Sequence, residues 1–245
     1  MRPDCIRRLA PARSDSDYCL LISLRRTLQA IIGSHLISRR PRQVLDYGCG
    51  DMPYKPLFDG LGSSYLGADL DGNPHADISI GKDGRVPCED GSFEAILSNQ
   101  VLEHVENVQA YLLEAYRLLK PGGKLVLSTH GWWTYHPYPV DLWRWTREGL
   151  ERTLQGNGFV PIESYWILGP LAYSFQLRVQ CWKGLLDNKG VIGRTIFKCI
   201  SFVYQGLIAF ADRITPDEIG RNNSAVYVIV ASKETLNKVS LSTGM

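Results

Sequence analysis

The chain has no Cys-x-x-Cys pair. Its six cysteines (Cys5, Cys19, Cys49, Cys88, Cys181 and Cys199) are scattered through 245 residues without histidines at zinc-ligand spacing. This pattern indicates neither a metal centre nor a disulfide framework, and it fits a reducing cytoplasm. Charge of one sign is also missing: 27 Lys and Arg face 25 Asp and Glu, leaving a net +2, and no basic run carries interleaved aromatics. A nucleic-acid partner is therefore not expected. Residues 1–17 mix Arg2, Arg7, Arg8 and Arg13 with Asp4, Asp15 and Asp17, lack the early apolar core of a signal peptide, and read as a loose segment. A complete G-x-G-x-x-G is absent as well, because Met52 stands near where a third glycine would fall.

With 44% hydrophobic and 21% charged residues, the chain can bury one sizeable core, and one domain with embellishments is expected. Val44–Tyr54 (VLDYGCGDMPY) organises it. Val44 and Leu45 form a short buried strand with Asp46 at its tip, Gly48 and Gly50 make a tight turn, and a helix is expected to follow with Asp51 as N-cap and Pro53 in its first turn. Such a corner lets backbone approach a ligand closely. A second strand, YLGADL, ends at Asp69, about the interval at which an acid meets a ribose in Rossmann-like folds. The competing reading is an Asx turn of Asp69 and Asp71 with Gly72 and Asn73.

Strands over Ala76–Ile80, Phe93–Leu97 and Lys124–Thr129 alternate with a helix from Val108 to Leu119, which Pro121, Gly122 and Gly123 end. This alternation predicts an α/β fold with a mainly parallel, doubly wound sheet and ligands at the carboxyl ends of its strands, where Asp46, Asp69, Asp83, Asn99 and His130 all fall. Ahead of the core, residues 18–40 have helical apolar spacing and predict an amphipathic helix packed on the sheet or over the cleft. Phe159–Leu168 reads as a sixth strand and Ala225–Ala231 as the last. Two apolar helical segments, Leu171–Leu186 and Arg194–Asp212, lie between them, and Lys198 and Gln205 argue against a transmembrane span. The expected division is a core over 41–168, a helical insertion or lid over 169–224, a final strand over 225–234 and a tail over 235–245.

The ordered series VLDYGCG, YLGADL, VPCEDGSFEAIL, LEHV and YRLLKPGGKLVLSTHG resembles the class I S-adenosylmethionine-dependent methyltransferases, of the broad methyltransferase-11 kind, over roughly Gln43–Phe159. The resemblance implies a Rossmann-like seven-stranded sheet whose last strand returns antiparallel to the sheet edge. It implies S-adenosyl-L-methionine as cofactor, with Gly48 and Gly50 beside its methionine part, Asp69 and the adjacent Leu70 at the ribose, and Asp83 with Gly84 near the adenine. Asp77 is a rival for that last place. Asn99 and Gln100 would lie by the sulfonium, and Asp46 would orient the glycine loop.

His136–Thr146 (HPYPVDLWRWT) is the least ordinary stretch. In this fold it faces the transferable methyl, and His136 with Asp141 is expected to act as a base and its orienter, with Arg144 and a tryptophan holding the acceptor. Read structurally, the tryptophans pack a helix that Asp141 caps. His104 can equally hold the turn it sits in. The acceptor is expected to be a small molecule or glycan, a bacterial surface saccharide by association, because a similar stretch recurs in methyltransferases of such pathways. The apolar helices are expected to serve as a lid or homodimer surface, or as a peripheral membrane contact. A nicotinamide oxidoreductase and a non-catalytic binding protein on the same fold are the alternatives.

Overall fold

The computed structural model describes residues 4–36 and 42–234. In chain order the elements are α1 (Asp4–Leu9), α2 (Tyr18–Ile31), β1 (Gln43–Tyr47), β2 (Ser64–Leu70), β3 (Ile78–Ile80), β4 (Phe93–Asn99), α3 (Val108–Leu118), β5 (Leu119–His130), α4 (Arg147–Gly156), β6 (Phe159–Ile167), α5 (Pro170–Leu186), α6 (Gly190–Ile214), α7 (Asp217–Asn222) and β7 (Val226–Lys233). A π-helical turn over Ile32–Leu36 extends α2. The rest of the expected helix, 37–40, and the tail at 235–245 lie outside the described residues.

The seven strands form one sheet in the order β3-β2-β1-β4-β5-β7-β6. The pairs β2–β3, β1–β2, β1–β4 and β4–β5 are parallel, whereas β7 runs antiparallel to both β5 and β6. Both faces of the central strands are covered, so successive residues bury on opposite sides. Val44, Ala95, Leu97, Val126, Val228 and Val230 pack toward α2, α5 and α6. Leu45, Ile96, Leu125, Leu127, Ile229 and Ala231 pack toward α3 and α4.

Three expectations are corrected. The last strand is not at the edge: β7 is inserted between β5 and β6, and β6 is the edge strand. All of Val226–Ala231 is buried, as an interior strand requires. No helix starts at Asp51. Met52 has φ 51°, Pro53 and Pro56 interrupt the segment, and only a 3-10 turn over Lys55–Phe58 forms before Gly60 and Gly62 reverse the chain. The N-terminal segment carries a helix rather than a loose chain: α1 is fastened by Arg7, which donates to both Asp17 carboxylate oxygens at 2.7 Å.

Polar side chains fix α2 against the C-terminal helices. Buried Gln205 of α6 accepts from the Cys19 amide at 2.9 Å and donates to the Ser16 carbonyl at 3.0 Å, and Gln176 of α5 donates to the same carbonyl at 2.7 Å. These bonds satisfy groups that burial would otherwise penalise. They also hold α2 beside the cleft described next.

Candidate active site

A continuous cleft of about 1590 Å³ runs along the carboxyl ends of β1, β2 and β4 to the tip of β5. Asp46, Gly48, Gly50, Asp69, Leu70, Asp83, Gly84, Asn99, Gln100 and His136 all line it, as do Leu20, Leu21 and Leu24 of α2. Asp77 is not among the lining residues; its carboxylate accepts from the Gly67 amide at 2.8 Å and so braces β2.

The glycine corner is built for close approach. Gly48 has φ 81°, and a Cβ there would lie 2.6 Å from Val101, whereas the space around Gly50 (φ 53°) is open. Asp69 reaches across this turn, its Oδ2 accepting from the Gly50 amide at 2.8 Å and from Asn73 Nδ2 at 2.7 Å, while Oδ1 accepts from the Leu70 amide. These bonds tie Asp69 to the glycine turn and to the Asn73 side chain; an Asx turn would need the amide two residues on, and the Asp69 oxygens accept from Gly50, Leu70 and Asn73 instead. Asp46 is buried and accepts from the Tyr65 hydroxyl at 2.6 Å; desolvation raises its pKa to about 7. At the tip of β4, Gln100 has φ 58°, a conformation few non-glycine residues adopt. It is held by a hydrogen bond that its backbone amide donates to the Ser128 carbonyl at 2.9 Å. Asn99 is buried beside it, and its side-chain nitrogen has no hydrogen-bond partner.

The other end of the cleft is made by His130 at the tip of β5 and by Trp133 and residues 136–140 of the loop that follows; Asp141, Trp143 and Arg144, expected at the acceptor, are not among its lining residues. Gly131 is required here, because a Cβ would lie 2.3 Å from the Ser224 carbonyl. The loop is pinned to the LEHV turn: the Leu142 and Trp143 amides donate to the Glu103 carbonyl at 2.8 and 3.2 Å, and Trp143 Nε1 donates to the Val105 carbonyl at 2.8 Å. His104 Nδ1 faces the Val140 carbonyl, so this histidine ties the turn to the loop as well.

His136 and Asp141 do come together, with Nδ1 3.3 Å from Oδ2, but the carboxylate is chiefly committed elsewhere. Arg144 donates to both its oxygens, at 2.6 and 2.7 Å, and the His136 amide donates to Oδ2 at 2.9 Å. The Arg144 bonds, aided by His136, hold Asp141 well below the usual carboxylate range. Asp141 closes the loop and does not cap a helix; α4 begins six residues later, with Thr146 accepting from the Gly149 amide. The His136 ring instead faces the Thr134 carbonyl through Nδ1 at 3.1 Å. Its pKa is lowered, by burial first and then by nearby His130, so the ring is neutral at pH 7.

Glu103 and His130 form a pair to which the sequence reading gave no role. Both are buried, and His130 Nδ1 lies 2.7 Å from Glu103 Oε1. Thr129 donates to the other carboxylate oxygen at 2.8 Å, and Trp133 stacks on His130 at 5.0 Å between ring centroids. His136 stands edge-on to His130 at 4.7 Å and to His104 at 5.1 Å. Glu103 could have been singled out as a charge beside two residues, Leu102 and Val105, that read as apolar turn positions.

A family model described as a methyltransferase domain matches residues 21–164. The chain belongs to the class I S-adenosylmethionine-dependent methyltransferase family. It is 30% identical over 105 residues to a Mycolicibacterium smegmatis protein named "Probable S-adenosylmethionine-dependent methyltransferase", a match covering 39% of this chain and 41% of that one. It is 36% identical over 101 residues to the ubiquinone biosynthesis O-methyltransferase of Xanthomonas oryzae pv. oryzae, covering 36% and 42%. These matches thus span about two fifths of the curated relatives' lengths. Among solved structures, the fold resembles the Burkholderia thailandensis 1,6-didemethyltoxoflavin-N1-methyltransferase with S-adenosylhomocysteine bound, at TM-score 0.53 and 18% identity over 86% of this chain and 78% of that one. The nicotinamide reading is not favoured by any of these.

Proposed function

We propose that the protein transfers a methyl group from S-adenosylmethionine to a hydroxyl of a small molecule or of a glycan. The observation that carries this is the continuous cleft joining the glycine corner to the histidine-lined end of β5. Gly48, Gly50, Asp69 and Leu70 would hold the methionine and ribose parts, Asp83 and Gly84 the adenine, and Asn99 and Gln100 the region of the sulfonium. The unpartnered Asn99 nitrogen and the open space at Gly50 are compatible with a ligand there. Asp46 would act on the glycine loop through β1 and its bond to Tyr65.

The cofactor supplies an activated methyl on a sulfonium. What the protein must add is alignment, worth on the order of 7 to 11 kcal/mol when two reactants are fixed in register. His136 is assigned to activation of the acceptor hydroxyl. Asp141 keeps the loop closed through Arg144. Titrating the chain with S-adenosylhomocysteine by calorimetry tests the reading. Saturable binding at one site per chain is expected, followed by methyl transfer to members of a panel of hydroxylated acceptors; absence of cofactor binding would overturn it.

A peripheral membrane contact is favoured by one feature of α6. Its outer side carries Val191, Ile192, Ile196, Phe202, Val203 and Phe210, all exposed, while its other side is fixed to α2 through Gln205. By length and composition Gly190–Ile214 is also the one helix among the described residues apolar enough to cross a membrane. Lys189, Arg194 and Lys198 lie at the start of this helix, basic groups that suit an anionic lipid surface and an acceptor carried on a lipid.

A further inference from the structure

We propose that Glu103, His130 and His136 bind a divalent transition-metal cation at the acceptor end of the cleft. One ligand atom from each lies within 4.8 Å of the others. Glu103 Oε1 and His130 Nδ1 are buried and 2.7 Å apart, an ion-pair contact poorly aligned for a hydrogen bond, and neither atom has a further partner. A buried carboxylate and imidazole held by one poorly aligned contact are under-satisfied. A cation bound by both removes that cost, because adjacent ligands of one ion sit close together without being aimed at each other.

The surroundings fix each ligand as a metal's outer shell does. Thr129 holds Glu103 Oε2 and leaves Oε1 turned toward His130. Trp133 stacked on His130 sets the plane of that ring. The Thr134 carbonyl beside His136 Nδ1 can only accept, so it selects the tautomer whose lone pair is on Nε2. Two imidazoles and one carboxylate suit Zn²⁺ and its neighbours and leave a coordination position open, whereas Mg²⁺ prefers an all-oxygen shell. The spacing of residues 103, 130 and 136 matches no metal motif, so only the fold brings them together.

The role of the cation rests on the methyl-transfer reading above. An acceptor hydroxyl at the open position would have its pKa lowered. It would lose its proton to solvent as its oxygen bonds the methyl carbon, and the carbon–sulfur bond would break with its electron pair left on sulfur. In this arrangement His136 activates the acceptor as a ligand.

The test uses the full chain, stripped with a chelator and dialysed. Titration with Co²⁺ should give visible absorption bands of a low-symmetry site, and calorimetry with Zn²⁺ should give one ion per chain. His130→Asn and His136→Asn should each weaken Zn²⁺ binding by about 100-fold or more, since loss of an outer-shell partner alone costs 10- to 100-fold. His136 lies on a partly exposed loop, so its variant keeps the test valid if His130→Asn fails to fold; melting curves identify such a failure. Absence of stoichiometric binding by the folded chain, or unchanged affinity in both folded variants, would overturn the site. S-adenosylhomocysteine titrated into the same stripped protein separates the two readings. Cofactor binding without metal binding sinks the metal site alone, and failure to bind the cofactor sinks the methyl-transfer reading, leaving the site to be judged by Co²⁺ and Zn²⁺.

Discussion

Asp69, at the end of β2, accepts a hydrogen bond from the amide of Gly50 in the turn after β1, at 2.8 Å. One carboxylate therefore shapes the glycine turn and faces the cleft. Asp69→Ala should weaken S-adenosylhomocysteine binding at least about tenfold, the loss of roughly one charge-assisted hydrogen bond. Asp69→Asn keeps an acceptor for Gly50 and should preserve more of the affinity. Equal affinity in wild type and Asp69→Ala, measured by calorimetry, would remove the residue from the cofactor site.

Asp46 makes stability depend on pH. Its folded pKa, about 7, lies above the ordinary value of 3.8 because burial disfavours the charge. The folded state therefore holds a proton that the unfolded state releases between about pH 4 and 7, and stability falls as pH rises through that window. The shift corresponds to roughly 4 kcal/mol at most, at 1.36 kcal/mol per pKa unit. Asp46→Asn, which cannot ionise, should gain melting temperature relative to wild type on going from pH 5 to pH 8. A constant difference across that range would contradict the assignment.

The Asp141–Arg144 clasp should act on the acceptor and leave the cofactor alone. Arg144→Ala removes both bonds to the carboxylate and those to the Trp133 and Thr134 carbonyls. We expect KM for the acceptor to rise about tenfold or more with S-adenosylhomocysteine affinity within about twofold. A parallel loss of both affinities would assign the clasp to general folding.

The outer face of α6 makes a prediction about lipid. The full chain should sediment with vesicles containing anionic phosphatidylglycerol more than with neutral phosphatidylcholine. Phe202→Glu with Phe210→Glu should abolish this, since both side chains are more than half exposed, at 51% and 64%, and contribute little to the core. Vesicle binding that survives the double substitution would place the contact elsewhere. A wild type that is dimeric in solution, made monomeric by it without lipid binding, would assign the face to a second copy of the chain.

The sheet was legible because its strands are buried on both faces and separated by glycine and proline, so Val44–Tyr47, Ser64–Leu70 and Phe93–Asn99 stand out as apolar runs with polar tips. The cofactor corner was legible for the same reason: strand tips gather at one edge of a parallel sheet. The helix after Gly50 was misread because cap and proline signals describe only a first turn, and Pro56, Gly60 and Gly62 leave no room for a second. The place of β7 depends on long-range pairing that no local pattern encodes. Glu103 escaped notice because its importance lies in what it meets, His130 from the far end of another strand; Asp141 does meet His136, but its stronger partner is the Arg144 guanidinium three residues on.

The insertion of β7 between β5 and β6 has a consequence for synthesis. Among the described residues strand β6 pairs with no strand other than β7, so a ribosome that has delivered residues 159–167 has made an edge with nothing yet to join. Four parallel pairings can close early, but the seam on the other side of β5 stays open until Val226–Lys233 emerges. During that interval the growing chain carries the apolar side of β5 and the helices α5 and α6 without their common strand, the stage at which such chains aggregate. Slowing translation between residues 168 and 225 would therefore lower the yield of folded protein without altering the stability of molecules already finished.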